Sequence, residues 1–335
     1  MKKLLLYLLR RVLMYIAILL LALTAFFFIV HMGPGDPVLK FLSDMQSRYG
    51  YNPGTTDQGL TAFKVKFGLD QPVGIRYLRF MEQFLLHGNF GPSMTRYPSN
   101  AQDVILQALP WSIGLLVVAV LLSWLIGMAL GTFLGWRRGA RFEGAVTPIS
   151  LVFSQIPVYL MAILLATVFV YVIAVFPSGY AYDTGIKKAF TLPFIGSVIY
   201  HSILPAMSMI LVYVPGNALG QRAMVINLLG EDYMKLAEAK GLSNGTIINR
   251  YILRNTLLPQ ATGLALSLGF VVNGFFLIEW IFRYPGVGLL FVGSITAFDY
   301  NVILGIAVIS MVVVLLANLI IEFLYPLIDP RIRRG

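Results

Sequence analysis

The sequence predicts an all-α integral membrane protein with six transmembrane helices, and three observations carry this reading. Of its 335 residues, 58% are hydrophobic and only 12% charged, where a soluble domain carries about 25% charged residues. Apolar stretches long enough to cross a bilayer recur along the chain, separated by polar or proline- and glycine-bearing segments. The majority of the 25 lysines and arginines falls on the short connections of one side, the pattern by which positive charge sets orientation. The net charge of +10 is therefore an insertion signal, not one of nucleic-acid affinity. With no cysteine there is no disulfide, thiolate metal site or catalytic thiol.

In chain order, residues 1–11 are a cytoplasmic stretch holding Lys2, Lys3, Arg10 and Arg11, and 12–32 are the first span. Ala22 to Ala25 fits a signal-peptide cleavage site. However, the apolar run continues through Phe26 to Val30, well past the roughly 7–15 residues of a signal core, so the span is expected to stay. Pro34 to Pro37, PGDP, stops that helix. Residues 33–110 form a long extracytoplasmic segment. Within it, Gln71 to His87 places Tyr77, Phe80, Met81 and Phe84 at helical spacing, as in a helix lying on the membrane surface.

The second span, 111–136, has a tryptophan at each end and Gly127, Gly131 and Gly135 on one face, a smooth groove for close packing within the chain. The basic loop Arg137 to Arg141 follows on the inside. The third span, 147–176, is broken at Pro157; 177–203 lies outside; the fourth span is 204–222. Residues 223–259 are cytoplasmic, 260–282 the fifth span, 283–300 an outer loop, 301–327 the sixth span and 328–335 a cytoplasmic tail. Within the outer loop, Leu289 to Phe298 is too short to cross and reads as a re-entrant or surface helix.

The most polar part of this apolar chain is Glu231 to Pro259. Asp232 to Lys240 has neither glycine nor proline and is rich in helix formers; Gly241 interrupts; Ser243 fits an N-cap; a second helix runs to Pro259. A membrane protein with few soluble parts meets a cytosolic partner through such an elbow, though an amphipathic linker has the same composition.

Catalytic signals are weak. No glycine-rich loop ending in Gly-Lys-Ser or Gly-Lys-Thr occurs, so the chain has no evident cradle for nucleotide phosphates. Gly241 to Gly245 fits G-x-S-x-G, but that nucleophile turn needs a preceding strand. The histidines, His31, His87 and His201, fall on the opposite side of the membrane and do not make a metal site by spacing. Polar residues inside a membrane are costly and so default to functional candidates. Gln155, Ser208, Asn217, Asn273 and Asn318 are candidates for lining a path, or for bonding helices to one another. Glu279 and Arg283 stand four apart near the outer edge, where a helix lets them pair, and Asp299 precedes the last span.

DYMKLAEAKGLS, followed by LRNTLLP, resembles the cytoplasmic coupling loop of ABC importer permeases, in the branch importing di- and oligopeptides and, in some members, nickel or oligosaccharides. Asp232, Tyr233, Ala237, Ala239, Lys240, Gly241, Leu242, Ser243, Leu253, Arg254, Asn255 and Pro259 match that branch's pattern. Glu238 stands where a basic residue is usual, and Tyr251 where histidine is usual. PGDP, Ser154 to Pro157, His201 to Ala206, Glu279 with Pro285 to Gly288, Asp299, and Asn318, Tyr325 and Asp329 to Arg333 resemble further elements of the branch in order. Glu322 replaces an aspartate there.

The resemblance implies a type I importer permease fold in the cell membrane, not an enzyme. Its implied partners are a second homologous permease, separate ATPase subunits (one or two) that bind ATP and Mg, and an extracytoplasmic binding protein for which 71–87 is a candidate docking face. Asp232, Tyr233, Ala237 to Ser243, Arg254 and Asn255 would then couple ATPase movement to the spans; Gln155, Ser208, Asn217, Asn273, Glu279, Arg283, Asp299 and Asn318 would line the path or its outer gate. Peptides are the expected substrate, with oligosaccharides or nickel as alternatives. An ATP-independent channel or secondary transporter instead predicts ion-binding residues at mid-bilayer in broken helices.

Overall fold

Uninterrupted apolar sequence forms long helices in this chain even where a proline removes a backbone hydrogen bond. The structure, a computed structural model, describes residues 2–33, 35–49, 61, 64–65, 67–274 and 276–328. Among them the regular elements are helical and no strand occurs. Three helices among the described residues are long and apolar enough to cross a membrane: 24 residues within α1 (Lys2–Met32), the 36 of α4 (Ala101–Trp136) and the 38 of α7 (Leu192–Leu229). Helices α5 (Arg141–Gln155) and α6 (Val158–Ala166, continued by a π-helical turn, Thr167–Val172) pass that test only as a pair, and they bend by 96° at their junction. The expected span 260–282 includes one position outside the described residues, 275, whereas 301–327 lies within the helix Tyr300–Ile328.

Prolines explain most boundary differences from the sequence expectation. Pro110 lies inside α4, which begins at Ala101, not at 111. Pro205 and Pro215 lie inside α7, which begins at Leu192, not at 204, and runs on to Leu229. Pro259 lies inside α10 (Arg254–Gly274) and does not end it. A proline costs one hydrogen bond and some bending, which a long packed helix absorbs. Pro157 does break its helix, because Ile156 before it takes extended backbone (φ −73°, ψ 124°), the conformation that proline imposes on its predecessor.

The chain divides into two compact units, residues 1–110 with Gly286–Leu315 and residues Trp111–Pro285 with 316 onward. In the first, α1 packs on α3 (Val73–His87) through rings: Phe27 meets Tyr77 and Phe80 at 5.3 and 5.5 Å, and Thr24 Oγ1 lies 2.7 Å from the Tyr77 hydroxyl. PGDP does more than stop α1. Asp36 accepts the amides of Val38 and Leu39 at 2.9 and 3.4 Å, and Pro37 is the first residue of α2 (Pro37–Tyr49), an N-cap followed by proline at N1. Helices α12 (Val287–Ala297) and α13 (Tyr300–Ile328, to Leu315) complete this unit.

In the second unit the glycine face of α4 lies against α7. A Cβ on Gly127 would sit 2.5 Å from that of Asn217, one on Gly131 2.3 Å from the Ala218 carbonyl oxygen, and one on Gly135 2.7 Å from the Val225 Cβ. The stripe is a packing surface within the chain. Beside it the buried Gln221 amide donates to Thr132 Oγ1 and Thr256 Oγ1, both at 2.9 Å, joining α4, α7 and α10. The core between α4, α6, α7 and α11 (Phe276–Ile281) is apolar, built on Leu116, Ala119, Ala162, Met209 and Ile278.

Candidate functional site

The polar stretch after α7 folds into the expected elbow, and its sequence accounts for each turn. Helix α8 (Asp232–Ala239) is too short to persist alone. It is held by Met234 and Ala237, three residues apart and therefore on one face, which are 1% and 2% exposed. They pack with Val225 from α7 and with Ile247 and Ile252 from the segment that follows.

Helix α8 ends in a Schellman turn. The Gly241 amide donates to the Glu238 carbonyl at 2.9 Å and the Leu242 amide to the Ala237 carbonyl at 3.3 Å, while Gly241 takes φ 68°. Leu242, the residue after the glycine, packs against the same apolar cluster. Ser243 then caps α9 (Asn244–Thr246): its Oγ accepts the Thr246 amide at 3.4 Å and lies 2.9 Å from Thr246 Oγ1. The serine of the G-x-S-x-G match thus serves as a helix cap. A π-helical turn, Ile247–Leu253, carries the chain into α10.

This burial leaves a defined outer face. Asp232, Tyr233, Lys235, Leu236, Glu238, Ala239, Lys240, Gly241 and Ser243 are exposed, as are Arg254 and Asn255 at the start of α10. Leu236 is 55% exposed, an apolar side chain set among charges. Lys235 pairs with Asp232 at 3.0 Å. Asn255 donates to the Tyr251 carbonyl at 2.7 Å and lies 3.5 Å from the Tyr233 hydroxyl, so the two arms of the elbow meet there. Partial burial and the Glu231 carboxylate push the Tyr233 hydroxyl above its ordinary pKa. The surface offers an apolar anchor, an aromatic ring and both signs of charge on a short, firmly seated helix, which suits docking more than chemistry.

Each path candidate whose side chain is described is placed by its own local packing. Ser208 is fully buried and returns its hydroxyl to the Pro205 carbonyl at 2.7 Å, within its own helix. Asn217 packs against the glycine face of α4, and Gln155 is exposed at the α5–α6 bend. The side chains of Asn273 and Asn318 lie outside the described residues. Glu279 is buried, whereas Arg283 is exposed with φ 46°, beyond the end of α11 at Ile281. The two are therefore not on successive turns of one helix, as the sequence spacing had them.

Asp299 belongs to the first unit and is fully buried. One carboxylate oxygen accepts the Ser93 hydroxyl at 2.7 Å and the Thr95 hydroxyl and amide at 2.9 and 3.0 Å; the other faces the Val302 amide at 3.4 Å. It caps α13 and clamps the 93–95 loop. Sequence reasoning missed the Glu143–Arg222 pair, in which Arg222 Nε donates at 2.9 Å and Nη2 donates to the same oxygen. A lone glutamate in a basic loop, and an arginine opening the polar stretch, were the available signals.

The family described as binding-protein-dependent transport system inner membrane component matches residues 127–334. The chain is similar along nearly its whole length to the oligopeptide transport system permease protein AppB of Bacillus subtilis, 31% identical over 326 residues, 97% of this chain and 98% of that protein. It is 29% identical over 327 residues to the oligopeptide permease OppB of Haemophilus influenzae, covering 98% and 99% of the two chains. It is 30% identical over 333 residues to the glutathione transport system permease protein GsiC of Salmonella paratyphi A, covering 98% of each.

Proposed function

Because this chain belongs to the family of binding-protein-dependent transport system inner membrane components, we propose that it is the permease subunit of an ATP-driven importer of di- and oligopeptides. The observation that carries the reading is similarity over 97% or more of the chain to permeases named for oligopeptides and glutathione. In this reading the chain crosses the inner membrane six times with both termini in the cytoplasm, and 33–110, 177–203 and 283–300 face outward. A second, homologous permease completes the path. ATPase subunits bind ATP and Mg below it, and an external binding protein delivers substrate from above.

The elbow supplies the coupling. Tyr233, Leu236, Glu238 and Lys240 enter a groove of the ATPase subunit, where Leu236 is the apolar anchor. When ATP closes the ATPase pair, α8 moves with it. Met234 and Ala237 are packed on Val225, Ile247 and Ile252, so a displacement of α8 carries the end of α7 and the start of α10. A close-packed interior transmits such a displacement because it does not compress. Polar groups on the spans, Asn217 and Gln155 among them, then meet the peptide backbone, with Glu279, Arg283 and Asp299 shaping the outer gate.

The test is purification of the tagged chain from its native membrane in mild detergent, with mass spectrometry of what accompanies it. A second permease and ATPase subunits are the expected companions, and replacing Leu236 by Asp releases the ATPase while the second permease stays. A chain that purifies alone and transports without ATP overturns the reading in favour of a channel or secondary transporter.

A further inference from the structure

Helix α3 has two dissimilar faces. The helical period sets Leu78 and Leu85 on one side, with Leu86 beside them, and these are 67%, 57% and 72% exposed. Arg76 and Phe80 turn away from Leu78 and Leu85 and, with Arg79, line a cavity of about 280 Å³, which Phe27 and His31 of α1 and Tyr300 and Asn301 of α13 also line. All of these residues belong to the first unit.

The cavity's charge is one-sided. No aspartate or glutamate is among the described residues lining it. Nη2 of Arg76 is buried and meets no hydrogen-bond acceptor among the described residues. Asp36, whose field reaches Tyr300, is engaged elsewhere: Lys64 Nζ lies at 3.1 Å, and it caps α2 through the Val38 amide at 2.9 Å. A buried guanidinium nitrogen without an acceptor is costly, and a planar fork of donors fits the oxygens of a phosphate or carboxylate. The walls are aromatic, with Phe27 and Phe80 buried, so the site suits an anion attached to an apolar body.

We propose that this cavity binds the phosphate of an anionic phospholipid. Arg76 holds the phosphate oxygens, Arg79 supplies the second positive charge at the mouth, and acyl chains lie along the leucine face of α3. Among the described residues that apolar face has no protein cover. On the last turns of α1, Ile29 and Met32 are 69% and 76% exposed and continue the apolar surface of this unit. Basic pockets between membrane helices hold anionic headgroups on the cytoplasmic side, and this pocket offers the same charge pairing in a segment read as facing outward.

The experiment is native mass spectrometry of the purified complex supplied with phosphatidylglycerol or phosphatidylcholine, comparing wild type with Arg76→Gln, Arg76→Lys and, as a control outside this unit, Lys187→Gln, an exposed position. Wild type and control retain phosphatidylglycerol over phosphatidylcholine. Arg76→Gln weakens that retention about fivefold or more, and Arg76→Lys falls between. Should Arg76→Gln fail to fold, Arg79→Gln, at an exposed position, gives the same reading. Equal retention by folded wild type and variants overturns the proposal. So does Arg76-dependent binding of inorganic phosphate without lipid, which marks a free-anion site. Displacement of the lipid by a short peptide, but not by its C-terminally amidated form, assigns the cavity to substrate and also overturns it. None of these readouts uses ATP or transport, so the result is independent of the importer reading.

Discussion

Arg222 holds Glu143 through two guanidinium hydrogen bonds, Nε at 2.9 Å and Nη2 to the same oxygen, across 79 residues of sequence. Glu143 also accepts the Gly139 amide at 3.3 Å and the Thr147 hydroxyl at 3.2 Å. One carboxylate thus ties the basic loop at 137–141 and the first turns of α5 to α7, eight residues before the chain turns at Gly230. That tie joins the first turn of α5 to α7.

Replacing either partner, Glu143→Gln or Arg222→Gln, is therefore expected to lower both the thermal midpoint and the ratio of substrate taken up to ATP hydrolysed. Fluorescence-detected size exclusion after heating and paired uptake and ATPase assays read the two effects. The exchanged pair, Glu143→Arg with Arg222→Glu, recovers part of the midpoint, which loss of bulk alone does not predict.

The glycine stripe separates packing from helix propensity. Gly131→Ala puts a methyl 2.3 Å from the Ala218 carbonyl oxygen, and forcing α4 and α7 apart is expected to cost about 1–3 kcal/mol. Gly114→Ala, on the same helix, meets nothing within 4 Å and is neutral or slightly stabilising. Thermal midpoints of the two variants, measured side by side, check the contrast.

Gly241 is required by backbone conformation, not by space. Its φ is 68°, and a Cβ there meets nothing within 4 Å. Gly241→Val is expected to strain the Schellman turn by about 1–2 kcal/mol and to reorient Leu242. Assembly stays measurable while ATP hydrolysis separates from uptake. Gly241→Asn, which tolerates this conformation better, keeps more coupling. Normal uptake in the valine variant removes the elbow from the mechanism.

The elbow was legible in the sequence because its signals are local: a glycine to end α8, a serine three residues before its hydrogen-bond partner, and apolar residues three apart. The glycine stripe was legible for the same reason. What escaped was non-local. Asp299 reads as one acid in an outer loop, and nothing near it announces Ser93 and Thr95, more than 200 residues earlier. Arg222 and Glu143 are likewise ordinary until the fold joins them. Prolines misled in a consistent direction, since a breaker in isolation is tolerated within a long helix, as at Pro205 and Pro259. Arg283 misled differently: Glu279 and Arg283 are spaced for a helix, but α11 stops between them at Ile281.

The most direct measurement of the central claim is uptake of a labelled di- or oligopeptide into proteoliposomes that contain this chain, its partner permease and the ATPase subunits, with the binding protein outside and ATP inside. The account predicts uptake that requires ATP and the binding protein together and that Leu236→Asp abolishes. Uptake that persists without ATP, or that Leu236→Asp leaves intact, contradicts it.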